Sequence, residues 1–179
     1  MGKEANHFSG NTMHIDVSKR FYQKGVTGVA FKIIPSQEHR GIVISNKLKK
    51  ELKRDIDANE DYARIYAICI YYLIKDKLNL FDNLVICNDE TYVYVKNYLD
   101  LLFQEDDIYF SKFITSLSKL REISGNPKIR SYADNIANVY RRKGLRSDKR
   151  KQKGIKLNLV EINYKKIIEK WKEIDKKIK

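Results

Sequence analysis

Residues 59–77 place the strongest restriction on how this chain can fold. Ala63, Tyr66, Ala67, Ile70 and Ile74 recur at the spacing of one helical face. Ile65, Ile68, Cys69, Tyr71, Tyr72 and Leu73 carry apolar character nearly all the way round. Much of such a helix has to be buried, and the small Ala63 and Ala67 let it lie close on a sheet. Residues 83–87 (NLVIC) follow as a short, fully apolar strand of the kind that occupies a central parallel position.

The flanking segments supply the other layers. Residues 13–18, 27–34 and 41–45 read as three strands, with a hairpin-type turn at 35–40 around Pro35. The charged stretch 46–57 fits either a helical turn or an irregular loop. Residues 91–103 space Val95, Tyr98, Leu99 and Leu102 for one helical face, and 108–117 is ambiguous but accommodates a strand. After a Gly125-Asn126-Pro127 turn, the spacing predicts a helix over 128–143. Its stripe is Ile129, Tyr132, Ala133, Ile136, Ala137 and Tyr140, and Gly144 stops it. A basic linker then leads to a candidate strand at 155–162 and a final helix over 163–178. That helix has an apolar stripe of Tyr164, Ile167, Ile168, Trp171, Ile174 and Ile178 opposite a lysine-rich face. The expected organisation is a flexible start at 1–12, a domain at 13–143 and a basic C-terminal extension at 144–179. The order of elements indicates a sheet with helices packed against it.

Charge is distributed unevenly along this plan. The net charge is +13, and residues 141–179 hold sixteen of the 36 Lys and Arg but five of the 23 acids. That stretch alone carries +11, while the rest of the chain is close to neutral. Cationic side chains beside phosphates release condensed counterions, so a nucleic acid is the expected partner. The candidate contacts are Arg141, Arg142, Lys143, Arg146, Lys149, Arg150, Lys151 and Lys153. Cys69 and Cys87 lie far apart in apolar runs and read as core residues rather than a disulfide framework or zinc site. His7, His14 and His39 are scattered, and His14 alternates onto the strand face of Asp16. No apolar run approaches the roughly 20 residues of a membrane span, no leader pattern opens the chain, and a cytoplasmic location with no membrane partner is expected. Phosphate-loop, dinucleotide-binding and nucleophile-elbow motifs are absent from the sequence.

The acids at the ends of elements carry the chemistry. Asp16 lies in the first strand, Glu60 opens the long helix, Asp89 follows the buried strand, and Asp134 lies in the helix after the Gly-Asn-Pro turn. Taken singly, each serves equally well as a turn, cap or surface residue. Carboxylates gathered from separate elements at one sheet end hold hard divalent cations, and a pair about 4 Å apart can drive phosphodiester hydrolysis.

The same order of elements and motifs resembles the ribonuclease H family. The matching pieces are HIDVS, then TGVAFKII with Gly28, then a third strand. NEDYARIYA follows as a helix opening with an acid and lined with alanines, then LVICNDETYVYV, and finally GNPKIRSYADNIANVYRR. The resemblance spans residues 13–143. It departs from the family pattern at Val17, where glycine usually follows the first acid, and at Asn126, near the place of a loop histidine. It implies a ribonuclease-H-like α/β fold with a mixed five-stranded sheet flanked by helices. It also implies that Asp16, Glu60, Asp89 and Asp134 are catalytic carboxylates holding two Mg²⁺ or Mn²⁺ ions.

The resulting expectation is a metal-dependent nuclease whose default substrate is RNA in an RNA–DNA hybrid. Structured RNA or branched DNA, as for a resolvase or transposase, is open on the same fold. A non-catalytic nucleic-acid-binding module is the alternative from another class, and a small host-interaction protein is a third. A homodimer through the C-terminal helix and Trp171 is a further expectation.

Overall fold

A computed structural model describes residues 8–56, 62–87, 92–144 and 156–179. Five strands, β1 (Thr12–Ser18), β2 (Thr27–Ile34), β3 (His39–Ile44), β4 (Asn83–Ile86) and β5 (Phe113–Ser116), form one mixed sheet in the order β3-β2-β1-β4-β5. The first three are antiparallel neighbours, whereas β1 pairs parallel with β4, and β4 parallel with β5. The α/β class and the mixed five-stranded sheet flanked by helices agree with expectation.

Alternation along the strands divides the side chains between two covered faces. Met13, Ile15, Val29, Phe31, Ile33, Ile42, Ile44, Leu84 and Ile86 belong to the main core, packed with helix α2 (Tyr62–Ile74) and helix α3 (Tyr92–Leu102). The all-round apolar character of α2 is explained by its position. Ala67, Ile68, Cys69, Ile70, Leu73 and Ile74 are fully buried between the sheet and its helical neighbours. On the opposite face, helix α6 (Asp134–Gly144) crosses β2, β3 and β1, and helix α5 (Leu117–Ser124) lies against β4 and β5. Burial pushes the Cys69 thiol well above its ordinary pKa, and neither Cys69 nor Cys87 is in a disulfide.

Two helices have cap signals that periodicity alone does not reveal. Helix α1 (Asn46–Asp55) begins where the Ser45 side chain accepts from Leu48 N, and it buries Leu48 and Leu52, one turn apart. Helix α5 begins where the Ser116 side chain accepts from Lys119 N and ends at Gly125, whose φ of 63° is left-handed. The single-turn helix α4 (Asp107–Phe110), capped by Asp106, precedes β5.

Three expectations are corrected. The helix predicted from 128 starts at Asp134, because local bonds hold the preceding residues out of a helix. Asn126 Oδ1 accepts from Lys128 N, Ser131 Oγ accepts from Ala133 N, and Arg121 Nε donates to Ile129 O. Residues 8–12 are fastened rather than loose. Asn11 N donates to Asp82 Oδ2 at 2.8 Å, Asn83 Nδ2 donates to Ser9 O at 2.8 Å, and Thr12 already belongs to β1. Among the described residues, the candidate strand at 155–162 makes one bridge, Leu159 with Gly41, through Gly41 N to Asn158 O and Val160 N to Gly41 O.

Helix α7 (Tyr164–Ile178), capped by Asn163, packs on α2 and α3 and buries Ile167, Trp171 and Ile174 in the main core. The apolar stripe that suggested a dimer is therefore largely used within the chain. The Arg64 guanidinium lies 4.2 Å from the centre of the Trp171 ring and 5.1 Å from that of Tyr98, and it is paired with Asp175. Among the described residues no helix is long and apolar enough to cross a membrane.

Candidate active site

Asp16 lies two residues before β1 ends at Ser18. It is level with Ala30 of β2, half-buried, and its Oδ1 accepts from Val17 N at 2.7 Å. It shares its face with His14 and Ser18, and that face is covered by α6 because the sheet offers almost no side chain there. A Cβ on Gly28 would stand 2.6 Å from Arg141 N and press on the Ala137 carbonyl, and a Cβ on Gly41 would stand 2.6 Å from Tyr140 Cδ1. Ala30, Ala137 and Tyr140 are fully buried in the seam. Small residues on both partners allow helix and strand backbones to approach closely.

Two contacts fix how β1 and the α6 segment run alongside each other. The rings of His14 and Tyr132 meet edge to face, with centroids 4.7 Å apart. Further along, Arg141 Nε donates to Ser18 Oγ at 3.1 Å, and Ser18 Oγ donates to Asn138 Oδ1 at 3.4 Å. Asp16 lies midway between His14 and Ser18. Asp134, in the first turn of α6, lies in the chain between Tyr132 and Asn138. Both acids therefore belong to the same stretch of one seam, Asp16 half-buried and Asp134 exposed.

Glu60 and Asp89 lie outside the described residues. The chain on either side of them is placed as follows. Cys87 N donates to Ile15 O at 2.9 Å, which carries the β1–β4 ladder one residue beyond β4 and brings Cys87 level with Asp16. Tyr62, two positions after Glu60 in the sequence, opens α2, and its ring lies 5.8 Å from that of Tyr22 in the β1–β2 loop. Among the described residues no group of three or more His, Cys, Asp or Glu is arranged to hold a metal ion.

Of the predicted basic contacts, Arg141, Arg142 and Lys143 form the last turn of α6, with Arg142 and Lys143 exposed. Arg146, Lys149, Arg150, Lys151 and Lys153 lie outside the described residues. Sequence reasoning missed Lys19, Arg20, Tyr22 and Lys24 in the loop after β1. This loop has no periodicity to flag it, yet its backbone is well fastened. Thr27 Oγ1 donates to Lys19 O at 2.7 Å, Gly25 N to Asn46 Oδ1 at 3.2 Å, and Lys49 Nζ to Gln23 O at 3.0 Å. Phe21 is its buried anchor, 6.0 Å from the Tyr66 ring.

Lys49 is buried on α1 beneath this loop, beside a small apolar hollow lined by Phe21, Leu52, Tyr62 and Ile65. Burial, with Lys19 and Lys53 adding repulsion, lowers its pKa to about 8. A wider cleft, lined by Tyr71, Lys75, Leu102, Phe103, Glu105 and Asp106, lies toward the far end of α2 and takes no part in this arrangement. Comparison with family models, with curated proteins and with solved structures returns no match.

Proposed function

We propose that this chain is a divalent-metal-dependent phosphodiester hydrolase on a ribonuclease-H-like fold. One observation carries the reading. The strand that bears Asp16 is central and pairs antiparallel with β2 on one side and parallel with β4 on the other, so its carboxyl end opens beside the end of β4, with α6 lying across the same face. In open α/β sheets, ligands bind at the carboxyl ends of strands where the connection reverses. Asp16 lies near that end of β1 and Asp134 opens the helix that crosses the same face, while the sequence puts Asp89 just after β4 and Glu60 just before α2.

The donor chemistry fits Mg²⁺ or Mn²⁺, since hard cations take carboxylate oxygens. Asp16 and Asp89 would be the central ligands, with Glu60 and Asp134 completing the set. Such ions, when bound, activate water and stabilise the leaving oxygen of a phosphodiester. The chain's own part is to fix the acids on a rigid strand and helix and to hold the backbone of the substrate. Arg141 supports this because Ser18 and Asn138 orient its guanidinium within the seam that bears Asp16. RNA in a hybrid is the first substrate to try.

The test is cleavage of a labelled RNA–DNA hybrid in Mg²⁺ and in Mn²⁺, with single strands, duplexes and a four-way junction alongside. Asp16→Asn is the matched control. Metal-dependent cutting that disappears in Asp16→Asn supports the hydrolase, and the ranking of substrates names its subclass. Salt-sensitive binding without cutting of any substrate would refute it in favour of a binding module.

A further inference from the structure

We propose that the β1–β2 loop, residues 19–26, is a preformed contact for single-stranded nucleic acid, in which Tyr22 stacks on an unpaired base while Lys19, Lys24 and Arg142 take the flanking phosphates. The inference rests on the nucleic-acid reading above and adds to it a contact for an unpaired strand, separate from the paired hybrid to be cut, and the residue that senses it.

Tyr22 is 50% exposed, yet it is not a loosely held ring. Tyr62 backs it at 5.8 Å. Arg20 places its guanidinium 6.0 Å from the ring centre and donates from NH1 to the Tyr22 hydroxyl at 3.3 Å. Gln23 N donates to Arg20 O and Gln23 Oε1 accepts from Arg20 N, so the turn that carries the ring is closed on itself. With the Lys19, Gly25 and Gln23 backbone also tied to Thr27, Asn46 and Lys49, little order has to be gained on binding. An aromatic face held ready beside cations is the recurring device for single strands, because every base has a π-face to stack.

Charge complementarity selects the partner. The sequence has no acid between Asp16 and Glu38, while Lys19, Arg20, Lys24 and Lys32 fall within that interval. The Ser18–Arg141 bond ties the residue just before the loop to the last turn of α6, which also carries Arg142 and Lys143. A cationic loop with no acid of its own and an open ring suits a polyanion with exposed bases better than a paired duplex, whose bases are stacked on one another.

The test uses the full chain and an oligonucleotide of about 12 nucleotides carrying one 2-aminopurine, as single-stranded DNA, single-stranded RNA and blunt duplex, at one stated salt concentration. Binding is read by anisotropy and stacking by quenching of the 2-aminopurine. The single strands should bind more tightly than the duplex and show quenching. Tyr22→Leu should weaken single-strand binding by about tenfold and abolish quenching, Tyr22→Trp should restore both, and duplex binding should not change. Tyr22→Leu that binds single strands as the wild type does, at unchanged thermal stability, overturns the proposal. A wild type that binds no oligonucleotide overturns both this and the hydrolase. Loss of binding in Tyr22→Leu from a protein that cuts nothing upholds the loop and refutes the hydrolase alone. Hybrid cleavage with an indifferent Tyr22→Leu does the reverse.

Discussion

Replacing Gly28 with alanine separates intrinsic backbone preference from packing, because the two predict opposite signs. Gly28 lies inside β2, where its φ is not left-handed. Alanine at such a position restricts the unfolded chain and on that ground should stabilise by about 0.4–1 kcal/mol. In the folded chain, however, the new methyl would stand 2.6 Å from Arg141 N and closer still to the Ala137 carbonyl, both backbone atoms of α6. No rotamer change relieves a contact with backbone, so the helix must lift. Overpacking costs typically 1–3 kcal/mol, and the upper end applies because α6 also carries the Ser18–Arg141 bond, so a net loss of about 2 kcal/mol is expected. For a chain of this size that lowers Tm by about 4–8 °C. Gly125→Ala is the contrasting control. Its φ of 63° strains alanine, but no atom lies within 4 Å, so the cost is limited to roughly 1 kcal/mol. Thermal unfolding followed by circular dichroism measures both. A Gly28→Ala protein as stable as the wild type, or more stable, would refute the close seating of α6 on β2, and with it the placement of Asp134 beside the strand of Asp16.

Lys49→Met should stabilise the chain by about 1–2 kcal/mol at pH 7, because it removes a buried ammonium held near pKa 8 against an ordinary 10.5, less the lost bond to Gln23 O. The wild type should gain stability as pH rises from 8 toward 9.5, since the folded state gives up a proton the unfolded chain keeps. The Met variant should stay flat over that window, and parallel urea-melt profiles for the two would contradict the assignment. Above pH 10 the buried Tyr109 and Tyr140, whose pKa values burial raises, act in the opposite direction, so the comparison stops short of it. Trp171→Ala should lower the single global transition by about 3–5 kcal/mol in chemical denaturation, because Trp171 fills the junction of α2, α3 and α7 under Arg64. A separate, early transition that leaves the main one in place would mean that α7 folds independently of the sheet.

The elements with a long apolar period were legible in the sequence. The β2 range matches in full, the burial of α2 followed from its lack of a polar face, and the centre of the α7 stripe, Ile167, Trp171 and Ile174, is buried while its end at Ile178 is exposed. What periodicity could not show was which partner each stripe meets. Trp171 looked available for a second copy until Arg64, Tyr98 and Asp175 closed around it. Short helices were missed for a different reason. Helix α1 and helix α5 each bury two leucines and depend on Ser45, Ser116 and Gly125, so their evidence is in caps rather than in a repeat. The stripe from Ile129 to Tyr140 misled because Ile129 packs with Val85, Leu117 and Leu120 from a non-helical turn that happens to keep helical spacing. Asp16 and Asp134 were singled out in the sequence because acids stand out among apolar neighbours. The exposed ring of Tyr22 was not, because only the fold brings it against Tyr62.

The Tyr140 hydroxyl accepts from Asn158 N at 2.9 Å and donates to Asn158 O at 3.1 Å, and it lies 3.1 Å from His39 Nδ1. Residues eighteen apart in the chain are thus knotted to one point beside β3. Helix α6 and the segment around Asn158 therefore share one mooring at the edge of β3, so a change that loosens Tyr140 releases both the helix and the Leu159–Gly41 bridge at once.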